Sequence, residues 1–239
     1  SLPQNCSNIT FGAAGSGSKG IANTAVITQT HQSAVAFAQI NCYRLAVSKN
    51  ATTAYTLTYG WAITKSVAPA RLDLFDGESR PLTYTVAVTR DNGSESQHRV
   101  HGTIVISNPA PMAAMLVNVT DTLPTAGGVA VTCPALTVAA NSVLSCSYSA
   151  TLPNKTPQTN RATAVQQVNV TVTRSYSGTA AVTFGAPATV LSASVTLSDT
   201  NWAQAQLVSG TMNVVYPVVQ NCSGIDFTGT LTGSKVVTN

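Results

Sequence analysis

The sequence predicts an all-β chain of two β-sandwich domains in a tandem or head-to-tail repeat. Three observations predict it: alternation of apolar and hydroxyl residues, turn chemistry between the alternating runs, and a duplicated segment. Leu82, Tyr84, Val86 and Val88 alternate with Thr83, Thr85, Ala87 and Thr89, the period of two that a half-buried strand requires. Residues 4–23 read QNCSNITFGAAGSGSKGIAN and residues 220–239 read QNCSGIDFTGTLTGSKVVTN. Ten of the twenty positions are identical and every match lies 216 residues apart, pairing Cys6 with Cys222, Phe11 with Phe227 and Lys19 with Lys235. Self-similarity at a fixed offset bears on the whole architecture. It marks either one period of an array, a subunit whose end mimics its neighbour's beginning, or a strand motif duplicated within one monomer.

Taken in order, strand-like runs fall at residues 22–29, 40–47, 54–64, 82–89, 100–107, 116–120, 129–132, 143–149, 165–174, 179–184, 189–197 and 212–219. Asp76-Gly77, Asp91-Asn92-Gly93, Asn108-Pro109, Gly127-Gly128, Asn141-Ser142, Pro153-Asn154 and Ser177-Gly178 separate them, supplying residues that tolerate turn conformations. Many short strands at this spacing indicate sandwiches. Within VNVTVT, a single strand would place Val168, Val170 and Val172 on one face and Asn169, Thr171 and Thr173 on the other. Only residues 110–115 and 202–207 suit a short helix. GSGSKG at residues 15–20 reads as a flexible turn, because it lacks the spacer and following helix of a phosphate loop.

Three segments follow. Residues 50–175 hold enough strands for one complete sandwich. Residues 176–239 hold too few for a second. Residues 1–49 supply strands that complete it, either in their own chain or in a neighbouring one, since an open sheet edge accepts a strand from elsewhere.

Composition narrows the function. Charged residues are only 8%, against about 25% in an ordinary soluble domain. Ser and Thr fill 57 of the 239 positions, so hydroxyls replace ion pairs on the surface. The net charge of +4 comes from scattered Lys and Arg; no basic stripe interleaves with aromatics, which disfavours nucleic acid. No uninterrupted apolar run reaches the about 20 residues of a membrane span. Nor does the first segment show the basic start and apolar core of a signal peptide.

Asn-x-Ser/Thr triplets occur at Asn5, Asn8, Asn50, Asn92, Asn118, Asn154, Asn169 and Asn221. Eight is about twice what chance yields from this composition, and the triplets fall in turns or on hydroxyl-bearing strand faces, where a bulky glycan reaches water. Covalent glycans are therefore expected partners, although Thr-rich strands also generate such triplets unaided.

VTDTLP at residues 119–124, Cys133, LTVAANSVLSCSYSATLP at 136–153 and NRATAV at 160–165 resemble the conserved-repeat immunoglobulin-like modules of bacterial and algal surface proteins. The runs at 42–67, 82–90, 102–111 and 177–200 resemble, more loosely, the larger unit that embeds such modules. The resemblance implies immunoglobulin-like sandwiches in a secreted structural protein of an envelope, fibre or appendage, in the manner of a glycan-coated fibril protomer. It brings no catalytic residues and no cofactor. It also implies a local bridge between Cys133 and Cys146. Cys6 and Cys42 form the natural second pair. Cys222 is left over, and as the counterpart of Cys6 it would bond the counterpart of Cys42 in a following unit, or stay a buried thiol. Five cysteines in such a chain argue for an oxidising, extracellular setting.

Enzyme chemistry finds little footing. His31, His98 and His101 are the only histidines, and the latter two fall on opposite faces of one strand. The one acidic cluster, Asp73, Asp76 and Glu78, has oxygen ligands for calcium but reads more plainly as a turn. Trp61, Trp202, Tyr55, Tyr59 and Tyr84 are candidates for a sugar platform or, more simply, for core packing. Copies of the chain itself remain the expected partner, with no catalytic and no metal site.

Overall fold

The computed structural model describes residues 5–229 and 231–238. Among them there is no helix, and the order of strands is β1 (Ser16–Ile27), β2 (Gln32–Tyr43), β3 (Ala46–Lys49), β4 (Thr52–Thr58), β5 (Trp61–Ala68), β6 (Ser79–Arg90), β7 (Ser94–Asn108), β8 (Ala114–Leu123), β9 (Gly127–Thr132), β10 (Thr137–Val138), β11 (Ser142–Thr151), β12 (Gln158–Asn169), β13 (Val172–Val182), β14 (Thr189–Leu191), β15 (Val195–Leu197), β16 (Gln206–Val208) and β17 (Met212–Asn221).

Four local expectations are corrected. VNVTVT is a hairpin tip and not one strand: the Asn169 side-chain oxygen accepts from the backbone N–H of Thr171 and of Val172, each at 3.0 Å, and turns the chain back. Most of GSGSKG is strand, since Ser16 already pairs with Tyr43. The runs at 54–64 and 189–197 each break in two, at Tyr59-Gly60 and at Ser192, whose φ is 53°. Residues 110–112 and 203–204 are bends; Pro111 withholds an N–H that a helical turn would need.

The chain forms two compact units, each assembled from two stretches. Unit 1 runs to Tyr55 and resumes at Gln97–Ala186; unit 2 is Thr56–Ser96 with the residues from Pro187 onward. The interleaving follows from pairing, because β6 takes β17 as its neighbour over ten residues.

Unit 1 has a sandwich-like core. One layer is β13–β12–β8 with β10 on β8; the other joins β11 to β7 and β3 to β7. β9 belongs to both: Gly127–Val129 pair with β8, and Ala130–Thr132 pair with β11. Gly127 takes φ 66° where the chain enters this crossing, a conformation glycine adopts without steric cost. Val100, Ile104, Ile106, Ala162, Ala164 and Val182 have no exposed surface and form the centre. A disulfide joins Cys133, one residue past β9, to Cys146 on β11.

Two buried asparagines are treated differently by this core. Asn108 donates to the carbonyls of Met112, Val138 and Ala139, and its own oxygen accepts from Ala110. Asn160 donates to Asp121 Oδ2 at 3.0 Å, while its Oδ1 is buried without a partner. The other oxygen of Asp121 accepts from Lys49 Nζ at 2.5 Å, and neither side chain of that ion pair has exposed surface. Removing two charges from water costs several kcal/mol each unless geometry compensates.

Unit 2 is smaller. Its sheet runs β17–β6–β5, with the ribbon β15–β16 and with β14 parallel to β4. Val86, Val88, Leu197 and Val208 form the core, flanked by Trp61, Trp202, Met212 and Tyr216. Asp199 ties the layers: it accepts from Lys65 at 2.6 Å and from the Tyr216 hydroxyl at 2.7 Å. Burial pushes its carboxyl up, but hydrogen bonds from Lys65, the Asn201 N–H and Tyr216 more than reverse this and hold it below the ordinary carboxylate range.

Two outcomes follow. Ile104→Ala should destabilise unit 1 by about 2–5 kcal/mol, the cost of emptying a closed core site, read from the urea midpoint. Because folding lowers the Asp199 pKa, its contribution is complete above the unfolded value and is lost as pH falls through the folded one. The near-ultraviolet signal of Trp202 and Tyr216 should therefore collapse on acidification in the native protein, and do so less steeply in Asp199→Asn.

Candidate assembly interface

The N-terminal copy of the duplicated motif is a closed unit. The Asn5 side-chain oxygen accepts from the Ser7 N–H at 3.0 Å, Asn8 turns the chain with φ 61°, and Lys19 Nζ reaches the Ser7 carbonyl at 3.4 Å. Gly17 packs so closely that a Cβ there would lie 2.6 Å from Ile9 Cγ2 and 2.5 Å from the Thr10 carbonyl. The end of β2 completes the motif. Cys42 is bonded to Cys6, the Arg44 guanidinium sits 4.8 Å from the centre of the Phe11 ring, and β1 pairs with β2 along twelve residues.

The C-terminal copy repeats the first half of this arrangement. Asn221 accepts from the Ser223 N–H at 2.9 Å, Gly224 turns with φ 79°, and Lys235 Nζ reaches the Ser223 carbonyl at 2.8 Å. Gly233 lies against Ile225, the counterpart of Ile9. Identical residues thus adopt matching contacts in two places. The second half is missing: residues 232–238 belong to no strand, and Cys222 is a free, half-buried thiol near the carbonyls of Leu74 and Phe75.

The ribbon β1–β2 is itself uncovered. Every residue from 22 to 39 is exposed. In the register observed, Ala25, Ile27, Ala34, Ala36 and Ala38 share one face, and Ala22, Val26, Val35 and Phe37 share the other. Phe37 leaves 82% of its surface in water. A two-stranded ribbon is marginal on its own, and apolar side chains on both faces make it a candidate contact surface.

All eight acceptor asparagines are exposed. At Asn5, Asn50, Asn154, Asn169 and Asn221 a neighbouring backbone N–H engages the side-chain oxygen, not the nitrogen that would carry sugar. Of the aromatic candidates, Tyr55 lies in unit 1 and the other four in unit 2, where Trp61 and Trp202 flank the core and Arg90 sits over the Tyr59 and Trp61 rings. Tyr55 stacks on His98 at 5.7 Å within unit 1, whereas Tyr84 stacks on Tyr216 at 5.6 Å and Trp202 packs edge-on to Tyr216 within unit 2. In the acidic cluster, Asp73 pairs with Arg71 and Glu78 with Arg80. Two depressions, one along Gln97–His101 and Ser149–Thr151 and the other around Asn108 and Asn141, are open to solvent. Among the described residues no helix is long and apolar enough to cross a membrane. Sequence spacing alone missed the buried Lys49, Asp121 and Asn160, which lie on three different strands.

Comparison with protein-family models, with curated proteins and with solved structures finds no match.

Cys222 should be the single thiol that reacts with Ellman's reagent in the folded, unreduced protein, and Cys222→Ser should abolish the reaction. Stoichiometry well above one thiol per chain would contradict the pairing described.

Proposed function

We propose that the chain is a structural subunit of an extracellular, glycosylated filament or surface appendage. In this reading its two units are immunoglobulin-like sandwiches that join head-to-tail by strand complementation. Residues 2–49 of one protomer seat against residues 178–239 of the next, with the uncovered β1–β2 ribbon beside the strandless segment 232–238. The partners are copies of the chain itself and covalent glycans. The observation that supports this most is the half-motif at 220–238, which shares sequence and local contacts with a motif that elsewhere requires a second strand. Added backbone pairing would satisfy that edge, and a partner would remove the apolar faces of the ribbon from water.

The other supports are coarser. Two disulfides accord with an oxidising compartment. With 8% charged residues, solubility would come from sugars on the eight exposed asparagines. The second reading, an adhesin stalk or carbohydrate-binding module in a long tandem-repeat surface protein, draws on the same 216-residue offset, since a following repeat would supply the missing strand covalently.

Electron microscopy of the purified protein tests the first reading. Val35→Glu with Phe37→Glu should leave the thermal transition unchanged, because both side chains already face water, and should abolish fibres. Deleting residues 1–23 should do the same to assembly. Fibres that persist in both variants would refute complementation through this ribbon, and the intact mass of the natural polypeptide would identify a longer repeat protein.

A further inference from the structure

Lys49 on β3, Asp121 on β8 and Asn160 on β12 meet at the centre of unit 1. The Asp121 carboxylate holds both nitrogens at once, Lys49 Nζ on Oδ1 at 2.5 Å and Asn160 Nδ2 on Oδ2 at 3.0 Å. The Tyr148 ring covers Lys49 Nζ, whose distance to the ring centre is 4.0 Å, and its hydroxyl donates to the Asn50 carbonyl at 2.6 Å. The Lys49 and Asp121 side chains have no exposed surface, and Asn160 has none either. Gly178 on β13 makes this depth attainable, since a Cβ there would collide with the backbone of β3 at Val47 and Ser48.

As an ion pair this cluster is poorly justified. The desolvated ammonium has one hydrogen-bonding partner and one ring, while the Asn160 oxygen has no partner at all. An unsatisfied buried oxygen costs roughly 1–3 kcal/mol, and the contrast with fully satisfied Asn108 shows that this fold can do better. Burial also draws the Lys49 pKa down, against the hydrogen bond and charge of Asp121, which favours the neutral amine, the nucleophilic form.

We propose that Lys49 and Asn160 are joined by an intramolecular isopeptide bond, formed autocatalytically with Asp121 as the proton carrier. Lys49 Nζ gives one proton to Asp121 Oδ1, and its freed lone pair attacks Asn160 Cγ. The new C–N bond forms as the carbonyl electrons move to Oδ1. Asp121 then delivers the proton to Nδ2 while the carbonyl re-forms, the Cγ–Nδ2 bond breaks, and Nδ2 departs as ammonia. The second proton shed by Nζ leaves with it as ammonium. The lysine ammonium and the carboxamide become one amide and one ammonium ion; nothing is oxidised or reduced, and no water enters. The product removes the buried positive charge. It also ties β3, in one layer, to β12, in the other, by a bond that unfolding must carry along. This site stands independently of the filament reading.

Mass spectrometry of the whole chain, produced in a bacterium without glycans and fully reduced, decides it. The mass should fall below the sequence value by one ammonia, about 17 Da, as a covalent modification of this kind requires. Trypsin should fail to cut after Lys49 and should release a branched peptide containing Lys49 and Asn160. A wild-type chain at its full mass overturns the proposal, whether or not any variant folds. Ammonia lost elsewhere, with Lys49 still cleaved, overturns it equally. Asp121→Asn, which keeps the hydrogen-bonding shape without the acid, should remain at full mass. A D121N chain that forms the branched peptide would overturn the role given to Asp121.

Discussion

The contact between Lys49 and Asp121 is the constraint on which the N-terminal half of this molecule depends. Lys49 ends β3, and β3 is only four residues long. Its four ladder pairs with β7 and the buried Leu45 just before it hold the segment in place. Leu45 follows Cys42 by three residues, and Cys42 carries the disulfide to Cys6. Chain order therefore transmits position from a buried charge pair to the base of the exposed ribbon. A short strand with solvent on its charged end would leave that base poorly fixed.

The two copies of the duplicated motif separate what is intrinsic to the sequence from what requires a partner. Both copies fold their asparagine turn, their lysine-to-carbonyl contact and their glycine-on-isoleucine packing. These are local interactions, spanning twelve residues at most. Only the N-terminal copy has an extended strand, and only there does a second strand lie alongside. The strand is thus a property of pairing, as expected for a conformation whose backbone groups have no partners within their own segment.

Much of the fold was legible because hydroxyl and apolar residues alternate so regularly. The alternation in 82–89 became β6, with Tyr84, Val86 and Val88 buried and Thr85 and Ala87 between them. Residues 165–174 misled because alternation cannot see a turn whose signal is one asparagine side chain. The interleaved division into units was equally hidden: it is set by β17 choosing β6, a pairing between residues more than one hundred positions apart. Asp121 stood in VTDTLP in plain view, but nothing in that string points to Lys49 or Asn160. Their convergence is a product of sandwich packing, visible only once β3, β8 and β12 are placed.

The length of the uncovered ribbon has its own consequence. Of its twelve paired residues the outer six, Ala22–Ile27, are exposed throughout, and at about 3.4 Å each they make an arm roughly 20 Å long. A body held by the tip of such an arm stands well clear of the one that carries it. In a filament of the proposed kind, that gap would leave lateral room for branched oligosaccharides between successive bodies, and one β-hairpin would set both the axial spacing and the thickness of a carbohydrate sheath.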